Sequence, residues 1–262
     1  MHAADTPSIH AADVPSVHAA DIPSVHAADI LSSIETKDEQ DQELTVWLDL
    51  PRGYLPLPVR DGAARLAEAE PVLSELCPPE RQPLLYATLD TFAELLGELE
   101  ARDAVYCGLA WHEAPDGAVV SSTLVVTLQA MGGPRNPRLV LGDLVTAAAN
   151  AGEKAQADLV DLPNGPALFS ERTRSLGRPM LPGRQGDPGR AEVYQLEAVV
   201  PQDKGEWIAT LEFSTPQTGY GVLFREMMVL LASSVSFTPP PGSDGENASS
   251  RNIRDLLGGA GL

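Results

Sequence analysis

Lysine is nearly missing from this chain. Lys37, Lys154 and Lys204 are all it has, and with arginine the basic total reaches only 18, against 37 carboxylates. A net charge of −19 leaves no broad basic surface to meet a phosphate backbone or an anionic lipid leaflet, which argues against nucleic-acid and membrane-surface partners. Cysteine is scarce as well. Cys77 precedes Pro78-Pro79 in a loop and Cys107 falls on the apolar face of a strand, so the two are expected as reduced thiols of a cytoplasmic protein, not as a disulfide framework. No apolar run approaches the roughly 20 residues needed to span a bilayer, so no membrane insertion is expected. The first residues carry Asp5, Asp13 and Asp21 without an early Lys or Arg, unlike a secretory signal. Beyond the first 26 residues the only histidine is His112, which leaves little for histidine-based acid–base catalysis. The excess of Arg, Ala, Gly and Pro over Lys is the bias expected of a high-GC genome such as an actinobacterial one, and has no bearing on mechanism.

What is present falls into a folded stretch and two appendages. Residues 1–43 repeat His-Ala-Ala-Asp at His2, His10, His18 and His26, with Pro7, Pro15 and Pro23 between copies. An eight-residue period is too short for a solenoid unit, and a proline in each copy blocks a continuous helix. The few Ile and Val residues cannot offset ordering costs of roughly 1–2 kcal/mol per residue, so this repeat tail is predicted to be disordered. Residues 238–250 read as a Pro/Gly/Ser linker. Residues 251–262 read as a short peptide with Ile253, Leu256 and Leu257 on one apolar face.

Between them, 44–237 reads as one α+β domain. Residues 44–48 are a strand candidate, followed by a proline-rich extended segment through Pro58. Residues 62–76 and 79–102 have helical composition, the second with a stripe of Leu85, Leu89, Phe92, Leu96 and Leu99. Hairpins are predicted over 103–112 and 118–128, around Pro115-Asp116-Gly117, and over 158–162 and 167–174, around Asn164-Gly165. A helix over 139–151 with Gly152 as its C-cap lies between the two hairpins. The centre of the fold is 192–237. There Tyr194, Leu196, Ala198 and Val200, then Trp207, Ala209, Leu211 and Phe213, alternate with polar residues as two half-buried strands. A helix over 220–235, with Leu223, Met227, Leu230, Leu231 and Ser234 as its inner face, is expected to cover them.

This order of elements, with Leu50-Pro51-Arg52-Gly53-Tyr54 at its start and the hairpin around Asn164-Gly165, resembles the PsbP-like α/β fold, a single antiparallel sheet flanked by helices. The resemblance covers about 44–237 and rests on layout. Mycobacterial secretion-linked lipoproteins share that fold, and the chain is similar to actinobacterial proteins associated with type VII (ESX-like) secretion. The resemblance implies a protein that binds partners and brings no catalytic residues with it. The chain departs from those proteins in its repeat tail and in lacking a lipidation site.

Chemistry-bearing patterns are few. Along residues 105–112, Cys107 and His112 fall on opposite faces, so they are not expected to form a nucleophilic pair; Cys107 reads as a buried structural residue and His112 as a surface one. Glu113 and Asp116 flank a turn and read as solvated. No phosphate-binding glycine loop, dinucleotide fingerprint or nucleophile elbow is present, and none of the patterns requires a cofactor. The His-Ala-Ala-Asp copies offer imidazole and carboxylate to a metal but no supporting shell, so a neutral or partner-binding tail is the stronger reading. Tyr86 and Asp90 have the Tyr-x-x-x-Asp spacing of a type VII export signal, without the Trp-x-Gly turn that accompanies it, so core and surface roles are favoured. Arg172, Arg174, Arg178, Arg184 and Arg190 form the one basic cluster, read mainly as a solvated loop and otherwise as a site for an acidic partner.

The expected function is therefore that of a non-enzymatic, protein-binding accessory or adaptor-like protein. Its candidate contacts are Ile253, Arg254, Leu256 and Leu257 in the C-terminal peptide, together with Arg172 and Arg174. Two alternatives remain at this point: a small-molecule binder or enzyme with a pocket between the sheet and the 176–189 loop, and a cargo protein directed to a larger assembly by its C-terminal peptide.

Overall fold

The prolines and glycines that end each apolar run also set the element boundaries. The computed structural model describes residues 46–151, 156–178 and 189–239, and the backbone of 251–252. The expected disorder of 1–43 and most of the 176–189 loop lie outside the described residues.

Strands β1 (Trp47–Leu48) and β2 (Leu55–Leu57) precede two helices, α1 (Gly62–Leu76) and α2 (Gln82–Ala101). The hairpin β3 (Ala104–Glu113) and β4 (Val119–Ala130) turns where expected. The amide of Ala114 donates to the carbonyl of Ala118 at 2.8 Å, and Gly117 takes the positive φ (82°) that the turn requires. Helix α3 (Pro137–Asn150) starts two residues earlier than its apolar pattern suggested. Asn136 caps it by accepting from the Arg138 amide at 2.9 Å, and Pro137 suits the first turn. The hairpins β5 (Gln156–Leu162) with β6 (Gly165–Gly177), and β7 (Arg190–Pro201) with β8 (Trp207–Thr215), lead into a 3-10 turn, Thr218–Phe224, and helix α4 (Arg225–Ser234). The backbone of β9 (Arg251–Asn252) pairs with β1.

Seven strands form one antiparallel sheet in the order β2-β3-β4-β8-β7-β6-β5, so the fold is α+β. One face carries the main core. Tyr106, Leu124, Val126, Tyr194, Leu196, Ala198, Leu211 and Phe213 are buried there under Phe224, Met228, Leu231 and Ala232, with Val46 and Leu48 closing the side. The phase of the covering helix differs from the expected stripe: Leu223 and Leu230 point to solvent while Phe224 and Met228 point in. The cause is the 3-10 turn. Its residues advance about 120° each, where α-helical residues advance about 100°, so seven of them rotate the later positions by about 140°.

The opposite face has two smaller cores with a gap between them. Val140, Leu141 and Leu144 of α3 cover Leu168, Val199 and Ile208. At the other end, Leu96 and Leu99 of α2 cover Leu57, Val59 and Cys107. Helix α1 begins tight against α2, because a Cβ on Gly62 would lie 2.7 Å from Leu96 Cδ1.

Candidate functional site

In the gap on the second face, the strand register brings charged residues together. Glu197 of β7 stands directly opposite Glu212 of β8, and Arg172 of β6 opposite Gln195 of β7. Facing carboxylates repel, and here guanidinium groups offset them from both sides. Arg102, just past the end of α2, donates to Glu212 at 3.2 Å. Arg172 donates to the Gln195 side-chain oxygen at 3.1 Å and reaches Glu197 at 3.5 Å. Gln195 in turn donates to the second oxygen of Glu212 at 3.3 Å. Arg172 and Glu197 keep only 11% and 13% of their side chains exposed. Two cations and two anions are linked through Gln195. The arrangement ties β6, β7 and β8 to the end of α2 and so favours one strand order and register.

A second polar set lies under the start of α4. The Nε2 of His112 is 2.7 Å from Ser122 Oγ, which is 3.1 Å from the Tyr54 hydroxyl. The imidazole ring meets Phe224 edge-on at 4.8 Å between centroids and Tyr54 at 5.7 Å. His112 is therefore half-buried, not a surface residue, because Tyr54 and Phe224 close over it. Burial pulls its pKa below the usual histidine value. A serine hydroxyl on an imidazole nitrogen is the first element of a nucleophilic site. Here, however, Ser122 is buried, and among the described residues no carboxylate orients His112. Cys107 lies on the other face, as the alternation required, and burial pushes its thiol up to about 11. Asp116 is not simply solvated: it accepts from the Tyr220 hydroxyl at 2.7 Å and from the Ala118 amide, and these bonds, Tyr220's first, lower its carboxyl pKa.

The largest chemical asymmetry is apolar. Helices α1 and α2 pack on each other, yet Gly62, Leu96 and Leu99 are their only buried residues. Val72, Leu73, Leu76, Leu84 and Leu95 stay exposed. Residues 62–101 carry eight carboxylates, all exposed, and two arginines, so the hairpin that bears these side chains is acidic. Leu55, Trp111 and Val119 add a second exposed group on the same side of the sheet as α2. Where the base of α2 meets the sheet, a cavity of about 580 Å³ is lined by Arg60, Asp61, Glu100, Asp103, Leu128 and Trp207 among others.

Of the residues singled out in the sequence, Arg172 and Arg174 lie in β6, not in a solvated loop, and Arg172 is engaged by Gln195 and Glu197. Arg190 of β7 donates to the Ser175 carbonyl of the neighbouring strand β6. Arg184, and Ile253, Arg254, Leu256 and Leu257, lie outside the described residues. Tyr86 is on the exposed side of α2, 3.3 Å from the hydroxyl of Ser74. The sequence reasoning passed over Arg102, Gln195, Glu197, Glu212 and Ser122. Alternation puts each strand residue on its face, but which of them meet depends on a register set by distant turns.

Among the described residues no helix is long and apolar enough to cross a membrane, and no group of three His, Cys, Asp or Glu side chains is placed to hold a metal. Compared with known proteins, the chain matches no family model, no curated protein and no solved structure.

Proposed function

We propose that this protein is a cytoplasmic, non-enzymatic adaptor that acts by contact, with the α1–α2 hairpin as its docking surface. The observation that carries this reading is the exposure of Val72, Leu73, Leu76, Leu84 and Leu95 on two helices whose inner stripe is only partly used. Several large apolar side chains left open on one helical hairpin of a folded domain are characteristic of interaction sites. The acidic rim selects a partner of opposite sign, and an amphipathic helix with lysines or arginines beside its apolar stripe has the shape and charge to lie along the hairpin. The resemblance to PsbP-like, secretion-linked proteins points to type VII secretion as the process served. Neither polar site argues for catalysis, since one pairs its carboxylates with arginines and in the other no carboxylate among the described residues orients His112.

The test is a paired capture from lysate with the wild-type chain and Leu73→Glu/Leu76→Glu. Both substitutions fall on exposed positions and leave the melting temperature within a few degrees. Partners held by the wild type and lost by the variant support the proposal; an unchanged partner set overturns it.

The cavity beside Trp207 supports a second reading, a small-molecule binder, because its volume lies within the range of ligand sites. A metabolite that raises the melting temperature of the wild type but not of Trp207→Ala would favour that reading.

A further inference from the structure

A sheet of seven strands has two edges, and this one protects them unequally. The edge strand β2 has three residues, and its central one is Pro56. A strand that short, with proline in it, gives an incoming chain little to pair with. The other edge, β5, is seven residues long, contains no proline and is exposed at every position except the last.

The β5–β6 hairpin also determines which backbone groups face outward. Leu162 pairs with Gly165 across the two residues Pro163 and Asn164. A two-residue turn is closed by a hydrogen-bonded pair, and hydrogen-bonded pairs then alternate along the ladder. Leu162, Val160, Asp158 and Gln156 therefore bond to β6, while Ala157, Leu159 and Asp161 turn their N–H and C=O groups to the open side. Pro166, opposite Asp161, fits this phase, because that pair needs no proline N–H. The turn itself is anchored: the Asn164 amide donates to the carbonyls of Ala232 and Val235, each at 2.9 Å. The end of the open edge nearest the turn is thus fixed to the end of α4.

We infer that the outer edge of β5 is a second docking site, which takes an extended, lysine- or arginine-bearing segment of another protein as an added strand. Main-chain bonds to Ala157, Leu159 and Asp161 would supply the pairing, and alternate partner side chains would lie beside Leu159 on one face and Val160 on the other. Charge selects the occupant. Asp158 and Asp161 stand on the strand of a chain with net charge −19, and Arg138 already binds Asp161 as a partner's cation would. A second copy is the disfavoured occupant, since pairing β5 with itself would bring the aspartates of both copies along one seam.

The experiment uses the full chain and a synthetic peptide of alternating lysine and valine, with a matched peptide of alternating lysine and proline. Titration calorimetry should show binding of the first and at least about tenfold weaker binding of the second, which has the same charge but cannot pair as a strand. Leu159→Pro removes one outward N–H without touching the β6 ladder or the charge. It should keep the wild-type melting temperature and weaken the Lys-Val peptide about tenfold or more. Amide exchange supplies a readout on the unmodified protein: the Ala157, Leu159 and Asp161 amides should slow when the peptide is added. Equal binding of both peptides, or no protection of those amides, would overturn the inference and leave only charge attraction. The Leu73→Glu/Leu76→Glu variant should bind the peptide like the wild type, so failure here and failure of the α1–α2 proposal are separable.

Discussion

His112 and Ser122 share a 2.7 Å contact between Nε2 and Oγ, on the sheet face covered by α4. Because burial lowers the pKa of His112 in the folded state, the unfolded chain takes up a proton first on acidification. The stability held by neutral His112 is complete above about pH 6.5 and is lost progressively as pH falls below that value. The repeat-tail histidines precede the described residues, and His112 is the only other one. Urea unfolding at pH 7.5 and 5.5 should therefore show a drop in stability that is reduced in His112→Gln. An identical drop in both proteins would rule out His112 as the source.

Ser122→Ala should cost about 1–3 kcal/mol in the same assay at pH 7.5, since it leaves both His112 and the Tyr54 hydroxyl without their partner. A change below about 0.5 kcal/mol would mean that both groups find water instead.

The covering helix offers a paired test of its phase. Leu211 is fully buried, whereas Leu230 is 65% exposed. Leu211→Ala should cost roughly 2–5 kcal/mol and Leu230→Ala less than about 0.5 kcal/mol, read from chemical denaturation midpoints. Equal losses would mean that α4 is rotated from the position described.

In the charged set, Arg172→Met should be destabilising by on the order of 3 kcal/mol, because it removes the guanidinium that reaches Glu197 where it faces Glu212. Adding Glu197→Gln should recover a substantial part of that loss, as removing one carboxylate ends the repulsion. Additive losses in a double-mutant cycle would show that the groups do not interact.

The two thiols should separate kinetically. Cys107 is buried, with its pKa raised to about 11, and Cys77 is only half-buried. An aromatic disulfide reagent at pH 8 should label one thiol quickly in the native protein and the second only in denaturant. Rapid labelling of both would contradict the packing of Leu96 and Leu99 over Cys107.

Local order was legible where a strong turn sits between two alternating runs. Asp116-Gly117 placed β3–β4 within a residue or two, and the alternating runs 194–200 and 207–213 placed the inner ends of β7 and β8. The phase of α4 was not legible, because nothing in 218–224 marks it as 3-10, and that turn shifts every later position. The amphipathy of α2 was visible in Leu85, Leu89 and Phe92, but whether a stripe is covered depends on what lies above it. The Glu197–Glu212 encounter and the edge position of β5 were hidden for a related reason. Strand order places β8 between β4 and β7, and no local pattern encodes that neighbour relation. Ser122 reads as an ordinary strand serine until His112 and Tyr54 are brought to it from two other segments.

One bridge near the chain ends has a consequence for everything attached to them. Trp47 and Ser236 exchange two backbone hydrogen bonds of 2.8 Å each, so the polypeptide enters and leaves the domain side by side. The repeat-bearing tail and the C-terminal peptide are thus rooted at a common point. Two ligands held by those segments would be tethered to one root, and the domain would work as the knot that joins them.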